Sequence, residues 1–326
     1  MTLGSRASQV LAVAGNTAVE ATRQPIYVTM LLLVLFLTAL SPALSAFTFE
    51  DDNKLLVDIG LSTIFVGGLF LAAFTATGVV HDEIERKTVL TVVSKPVDRL
   101  TFIVGKYLGV LAASAIAHWC WSLAFLLAVR HRVLARMNDT FDEPVLVFGI
   151  GSALLALALA SLWNFLRRRE FGSTLAKFLA VLLPIGTLLT FSLDKQWQWQ
   201  SPFGDLSMPL TWALLLLFEA EAILCAIAVA TSTRLRRAMT LSVCGGAFVL
   251  GITSDYFFGR HIEESFLARI AYAVTPNLQY HWLADALTQG RTIDAGYVGL
   301  VTAYSAFVVL ALLAVAAMLF RDREVG

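Results

Sequence analysis

The sequence predicts an all-α protein, a polytopic membrane helix bundle of about eight transmembrane helices within a single domain over residues 1–326. Hydrophobic residues make up 58% of the chain, whereas soluble domains have about 45–50% apolar residues. Only 15% of the residues are charged, compared with about 25% in soluble domains. Long apolar runs separated by short polar segments complete the pattern. So few charges can cover the loops of a membrane protein but not the whole surface of a soluble one.

Eight apolar runs are long enough to cross a bilayer, which takes about 20 residues in a helix. They lie at 26–46, 56–80, 103–129, 145–165, 174–193, 210–232, 240–258 and 297–320. The fifth run contains Pro184 and Gly186, which transmembrane helices tolerate. The seventh is short and ends at Ser254-Asp255.

The distribution of basic residues predicts that both termini are cytoplasmic. With the N-terminus inside, sixteen of the 24 Lys and Arg residues fall in cytoplasmic segments and eight fall outside, as the positive-inside rule favours. Arg130 and Arg132 disagree with this orientation, and the nearby acidic residues, Asp139, Asp142 and Glu143, offset them only in part.

Two segments outside the spans have helical periodicity. Residues 1–25 place apolar residues at helical spacing and predict an interfacial amphipathic helix, with a loosely ordered tail as the alternative. Pro25 then forms the corner into the first span. Residues 259–296 are too long for a bare connection and predict a helical segment at the extracytoplasmic surface, broken at Pro276-Asn277.

The most charged loop, residues 81–102, lies between the second and third spans and reads HDEIERKTVLTVVSKPVDRLTF. A short helix with charged flanks at the membrane surface suits docking in a groove of a soluble partner. An ordinary solvated loop explains the composition equally well, and the residue pattern alone leaves both open.

Two stretches of the chain resemble the permease subunits of ABC type-2 exporters, nearest the copper-processing and gliding-motility permeases. In the cytoplasmic loop, the matching positions are Glu83, Glu85, Arg86, Lys87, Thr88, Leu90, Pro96, Arg99, Gly105 and Lys106. Near the C-terminus, they are Pro276-Asn277, Trp282-Leu283, Gly290, Tyr297 and the final span up to Phe320 and beyond.

The resemblance implies that the cytoplasmic coupling segment, 81–102, sits on a separate ATP-binding ABC subunit. The residues that would couple to the ATPase are Glu83, Glu85, Arg86, Lys87, Thr88, Pro96 and Arg99. It also implies a second permease subunit, in a homodimer or heterodimer, within a bacterial inner membrane. Such permeases have six spans, so residues 145–193 are predicted to be an inserted helical hairpin. That hairpin could line the assembly, shield it from lipid or bind an accessory protein.

The chain lacks the sequence features of an ATPase. A phosphate-binding loop needs Gly-x-x-x-x-Gly-Lys followed by Ser or Thr. The Gly105-Lys106 pair has Leu100 five positions earlier and Tyr107 after it. We therefore expect a permease that is not itself an enzyme and binds no cofactor, with ATP and Mg on the partner subunit.

Other ligand classes have no support in the sequence. The His81-Asp82-Glu83 cluster lacks the spacing of a metal site, so no metal is expected. A net charge of zero gives no reason to expect nucleic acid.

Polar and small residues inside the spans are candidates for a transport pathway or a subunit interface: Gly67, Gly68, Thr75, His118 and Glu219. An ionisable side chain at membrane depth is costly and needs a reason. Each has a structural alternative, since glycines allow close helix packing and Glu219 or His118 can bond to a neighbouring helix. Glu219 and Glu221 project about 200° apart at ~100° per residue, so they cannot face the same pathway.

Two further functions remain open from the sequence. An ion-coupled secondary carrier could use Glu219 and His118, and a membrane enzyme, scaffold or assembly protein could use the outer segment 259–296. The apolar span faces do not identify a substrate.

Overall fold

The computed structural model describes residues 3–46, 52–81, 98–134, 140–202, 204 and 206–321. Within these ranges the chain is helical apart from turns and one isolated β-bridge, between Leu193 and Trp199. The α-helices are α1 (Leu3–Arg23), α2 (Pro25–Ser45), α3 (Asp52–Ala76), α4 (Arg99–His131), α5 (Gly151–Arg167), α6 (Phe171–Phe191), α7 (Met208–Ser232), α8 (Arg237–Phe257), α9 (Phe266–Val274), α10 (Ala284–Thr288) and α11 (Ala295–Arg321). Short π-helical turns extend α3 over Thr77–His81 and precede α5 over Val145–Ile150.

Eight helices in the described residues are long and apolar enough to cross a membrane, which confirms the predicted polytopic bundle. They are α2, α3, α4, α5, α6, α7, α8 and α11, each with its terminal turns. Each begins within about five residues of its predicted start. The agreement arises because a spanning helix covers the apolar run that crosses the bilayer. The chain is therefore a multi-pass membrane protein.

Three helices form the centre of the bundle. In their most apolar windows, α7 is 78% buried, α4 is 61% buried and α3 is 56% buried. In contrast, α8 is only 17% buried and α11 only 22% buried, so these two helices lie at the periphery. Their outward side chains, such as Phe307 and Leu310, are exposed and apolar, as suits a helix surrounded by lipid chains.

Helix α1 packs along the first turns of α4. A Cβ added at Gly105 would lie 2.7 Å from Val13 Cβ, and one at Gly109 would lie 2.4 Å from Thr17 Cβ. These two glycines are needed because the helix axes approach so closely. Lys106 is buried in the same contact, 3.8 Å from the carboxylate of Glu20. The N-terminal segment is thus a helix in the structure, and its position at the membrane surface stays a prediction.

The corner between α1 and α2 depends on two residues. Gln24 has an extended backbone, with ψ near 133°, and Pro25 then begins α2, where a missing N–H group does no harm. Arg23 extends to the turn between α5 and α6 and contacts Glu170 at 2.9 Å. Consequently α1 and the α5–α6 turn lie on the same face of the bundle.

Helices α5 and α6 form the hairpin expected over 145–193. Arg168, in the left-handed region with φ of 50°, reverses the chain between them. The two helices touch near their other ends, where a Cβ at Gly186 would lie 2.4 Å from the carbonyl oxygen of Phe148. Pro184 lies inside α6 without ending it.

Segment 259–296, called the outer segment for its predicted position, contains α9 and α10 together with two 3-10 turns, Gly259–His261 and Gln279–His281. Ser265 caps α9, accepting a hydrogen bond from the backbone N–H of Ala268. The helix ends at Val274, just before Pro276. Phe266, Leu267 and Val274 are each at least 73% exposed, so α9 turns an apolar face away from the protein.

Candidate functional site

A buried acid–base pair joins α4 to α7 near the middle of the bundle. His118 Nδ1 lies 2.8 Å from Glu221 Oε1, and His118 Nε2 lies 3.0 Å from the backbone oxygen of Leu214. The Glu221 side chain is fully buried, and that of His118 is 8% exposed. The surrounding helices of the same chain therefore shield the pair from water.

The geometry defines where the protons can be. A carbonyl oxygen only accepts hydrogen bonds, so His118 Nε2 carries a proton and donates it to Leu214. A single further proton lies between His118 Nδ1 and Glu221 Oε1. The pair is either a neutral imidazole with a carboxylic acid or an imidazolium with a carboxylate. Both forms have zero net charge, which keeps the desolvation cost low in the apolar interior.

Gly68 on α3 makes room for this pair. A Cβ at position 68 would lie 2.3 Å from the carboxyl carbon of Glu221, so any larger residue would displace the acid. The second carboxyl oxygen, Glu221 Oε2, has no hydrogen-bond partner among the described residues. The acid is thus held by one hydrogen bond to α4 and by contact with Gly68 of α3.

Glu219 lies on another side of α7 and contacts α11. Its Oε1 accepts a hydrogen bond from the Thr302 hydroxyl at 2.6 Å, and its Oε2 accepts one from Ser305 at 3.2 Å. Ser305 is also 2.7 Å from His281 Nε2 in the outer segment. The two glutamates of α7 therefore contact different neighbours, and His118 joins Glu221 and not Glu219.

The remaining intramembrane candidates pack within the bundle. Gly67 lies against α2, where an added Cβ would be 2.4 Å from a methyl group of Val34. The buried hydroxyl of Thr75 bonds to carbonyl oxygens of its own helix, those of Leu71 and Ala72. The structure thus brings Gly68 and His118 together around Glu221, whereas Gly67 and Thr75 contact other partners.

Most of the predicted coupling residues lie outside the described residues. These are Glu83, Glu85, Arg86, Lys87, Thr88 and Pro96. Arg99 is the first residue of α4, directly after the extended Asp98. Their roles stay a prediction from the sequence.

A second buried charged group lies near the end of α4, far along this helix from Arg99. Sequence reasoning did not single it out as a site. Arg130 Nε donates to Asp142 Oδ2 at 3.2 Å, and its Nη atoms donate to the carbonyl oxygens of Thr190 and Leu193. The Arg130 side chain is 8% exposed, and that of Asp142 only 1%. The signal was present, because Arg130 disagreed with the predicted orientation. The structure shows this arginine paired with Asp142, and the orientation itself stays a prediction.

A hydrogen-bonded cluster connects α8 to the outer segment. The Tyr272 hydroxyl donates to Asp255 Oδ1 at 2.7 Å, and Asn277 Nδ2 donates to the same oxygen at 3.0 Å. Burial, then the hydrogen bonds to Tyr280 and Asp255, raises the pKa of Tyr272, so its hydroxyl stays protonated. This cluster holds the chain at the Pro276-Asn277 break.

His281 lies beside this cluster in a buried position. Burial lowers its pKa to about 4, although the carbonyl of Leu278 acts in the other direction. The imidazole is therefore neutral near pH 7.

No metal site is evident in the described ranges, where no three His, Cys, Asp or Glu side chains come together. The cysteines Cys120, Cys225 and Cys244 are all free and buried. No family model matches the chain, and no curated protein matches it. The structure therefore supports a multi-pass helical membrane protein with a buried His–Glu pair at its centre.

Proposed function

We propose that the chain is the membrane-spanning subunit of an ABC-type exporter and moves its substrate with energy from a separate ATP-binding subunit. The support from sequence is the resemblance in the loop between the second and third spans, together with the missing phosphate-binding loop. The structural support is the way α4 connects that loop to the rest of the bundle.

The observation that carries the proposal is the set of contacts along α4. The helix begins at Arg99, directly after the charged loop, and α1 packs on its first turns through Gly105 and Gly109. At mid-membrane, His118 bonds to α7 and Trp121 Nε1 donates to the Leu31 carbonyl of α2 at 3.0 Å. A displacement at the start of α4 would therefore be transmitted to two other spans.

In this mechanism the chain performs no chemistry of its own. ATP binding would bring two partner subunits together and move segment 81–102, and α4 would pass the motion to α2 and α7. Rigid, closely packed helices move as units because their cores resist continuous deformation. The moving helices, α2, α4 and α7, would then alternately open and close a pathway shared with a second permease subunit.

The test is purification of the intact chain from its native membrane in mild detergent, followed by ATPase measurement and identification of bound proteins. We expect a protein with a Gly-x-x-x-x-Gly-Lys-Ser/Thr loop to copurify. The double variant E85A/R86A should lose most of that ATPase activity. Recovery of no ATP-binding protein would contradict the proposal.

A charge-matched control uses the exposed ion pair Arg23–Glu170 on the same face of the bundle. Exposed ion pairs contribute little to stability, about 0–1 kcal/mol. The variant R23A/E170A should keep its partner, because it changes the same charges outside segment 81–102. Equal loss in both double variants would argue against a specific coupling site.

A second candidate, an ion-coupled carrier, is favoured by the buried His118–Glu221 pair. An intramembrane acid with one exchangeable proton is the group that proton-coupled transporters use. The purified chain alone in liposomes should then dissipate a pH gradient without ATP, and E221Q should abolish this flux. Absence of flux from the chain alone would favour the exporter instead.

A further inference from the structure

A cavity of about 490 Å³ opens where the α5–α6 hairpin meets α4 and the start of α7. This volume is within the range of small-molecule sites, about 300–1,000 Å³. The loops around it follow α4 and α6, so it lies at the opposite end of α4 from Arg99. Its charged lining consists of Arg130, Arg132, Lys195, Asp142 and Asp194.

Arg130 is a preformed anchor in the wall of this cavity. Asp142 and two backbone carbonyls fix its guanidinium, which also lies 5.2 Å from the Phe191 ring centroid. An arginine has five N–H donors, and these contacts use three of them. The guanidinium therefore has fixed geometry and keeps donor capacity for an anion.

The cavity has a surplus of positive charge, with three basic and two acidic side chains in its lining. Both acids are engaged within the protein. Asp142 binds Arg130, and Asp194 Oδ1 accepts the backbone N–H groups of Gln196 and Gln198 at 2.9 and 2.8 Å. The exposed Arg132 and Lys195 thus supply the net positive field.

Arg132 has an unusual backbone for an arginine, with φ of 65° and ψ of 172°. This region suits glycine, and a residue with a Cβ is strained there. Such strain is concentrated at functional sites. The arginine here lines a cavity and adds charge to it, which gives the strained position a function.

Apolar side chains line the same cavity from the ends of three spans: Leu126 of α4, Phe191 of α6 and Leu210 of α7. A ligand that satisfies both halves of the lining has an anionic head and an apolar chain. We propose that this cavity binds the anionic headgroup of a membrane lipid. The hairpin then serves as one wall of a lipid site. This inference does not depend on the exporter proposal, since it requires no partner subunit.

The experiment measures lipid binding to the purified, delipidated full chain by native mass spectrometry, with phosphatidylglycerol and phosphatidylcholine as probes. We expect tighter binding of phosphatidylglycerol. The double variant R132Q/K195Q should weaken it by about 25-fold, roughly fivefold for each charge removed, and should leave phosphatidylcholine binding unchanged. The variant R132K keeps the charge and should retain binding.

The matched control, R269Q/R291Q, removes two exposed arginines of the outer segment that do not line the cavity. It should leave phosphatidylglycerol binding within about twofold, because neither side chain lines the cavity and salt screens exposed charges. Equal binding of the two lipids, or equal loss in both double variants, would overturn the proposal. Inorganic phosphate that displaces the lipid fully at matched ionic strength would also overturn it and indicate a site for a free anion.

Discussion

At the scale of single residues, the membrane interior makes each ionisable side chain depend on one specific partner. Glu221 can be fully buried because His118 accepts or shares its proton at 2.8 Å and because Gly68 leaves space for the carboxyl group. Glu219, two residues earlier, relies on the hydroxyls of Thr302 and Ser305. Neighbouring glutamates on one helix therefore have different environments and different chemistry.

The first prediction concerns the His118–Glu221 hydrogen bond. Glu221→Ala should lower the free energy of unfolding by about 2–4 kcal/mol, since it leaves a cavity and an unpaired histidine. Glu221→Gln should cost less than about 1 kcal/mol, because the amide N–H can donate to Nδ1 and so restore the hydrogen bond. Unfolding midpoints in detergent check both. Equal losses would show that the hydrogen bond is not what stabilises the pair.

The second prediction concerns pH. His281 has its pKa lowered by burial from 6.5 to about 4, so the unfolded chain binds a proton between these values and the folded chain does not. The contribution of His281 to the free energy of unfolding is full above pH 6.5. It falls as the pH drops toward 4, by up to about 3 kcal/mol. Unfolding measured across this range checks the slope.

Two histidine variants separate this effect from other titrations. His281→Gln should reduce the slope between pH 6.5 and 4. His261→Gln changes an exposed histidine of the same outer segment and should keep the slope. A slope that survives His281→Gln unchanged would assign the pH dependence to another group.

At the scale of elements, α4 is the helix through which the others are connected. Its start carries α1, its middle bonds to α2 and α7, and its end bonds through Arg130 to Asp142 and to two carbonyls at the end of α6. The small residues near its start allow the closest of these contacts. Substitutions there should consequently affect how α1 is held.

The third prediction compares two glycines in this contact. Gly109→Ala would place a Cβ 2.6 Å from the backbone oxygen of Ala14, so α1 must shift, with a loss of about 1–3 kcal/mol. Gly15 has nothing within 4 Å of its added Cβ. Gly15→Ala should be neutral or stabilising by up to about 1 kcal/mol, as alanine favours helix. Thermal unfolding and proteolysis of α1 measure both. Similar behaviour of the two variants would contradict the close contact.

At the scale of the whole molecule, the two proposals concern opposite ends of the bundle. One end combines α1, the start of α4 at Arg99 and the basic turns near Arg168 and Arg236. The other end has the cavity at Arg130 and the outer segment 259–296. The exporter proposal uses the first end and the lipid proposal uses the second, so the two proposals can fail independently.

The fourth prediction is the membrane topology. Single cysteines at Arg168 and Arg236 should react with a membrane-impermeant maleimide only from the cytoplasmic side. Cysteines at Lys195 and Arg291 should react only from the outside. The native Cys120, Cys225 and Cys244 are buried, so the background should be low. Reaction of Arg168→Cys from outside would reverse the orientation derived from basic residues.

The number of spans and their approximate bounds followed from the amino-acid sequence alone. A helix that crosses lipid must satisfy its backbone internally and present apolar side chains for about 20 residues, and both requirements are local. The sequence also predicted the turn between α5 and α6 and the break at Pro276. Runs of charged residues and prolines affect the backbone at their own positions, so their effect can be predicted locally.

Which polar residues contact each other became known from the packing of the helices. Helical periodicity placed Glu219 and Glu221 on different faces, but it could not say that His118, 103 positions away, would pair with Glu221. The charge count marked Arg130 as exceptional without identifying Asp142 as its partner. A helix period fixes the direction of a side chain around its own axis, whereas the partner depends on how helices distant in sequence pack and cross.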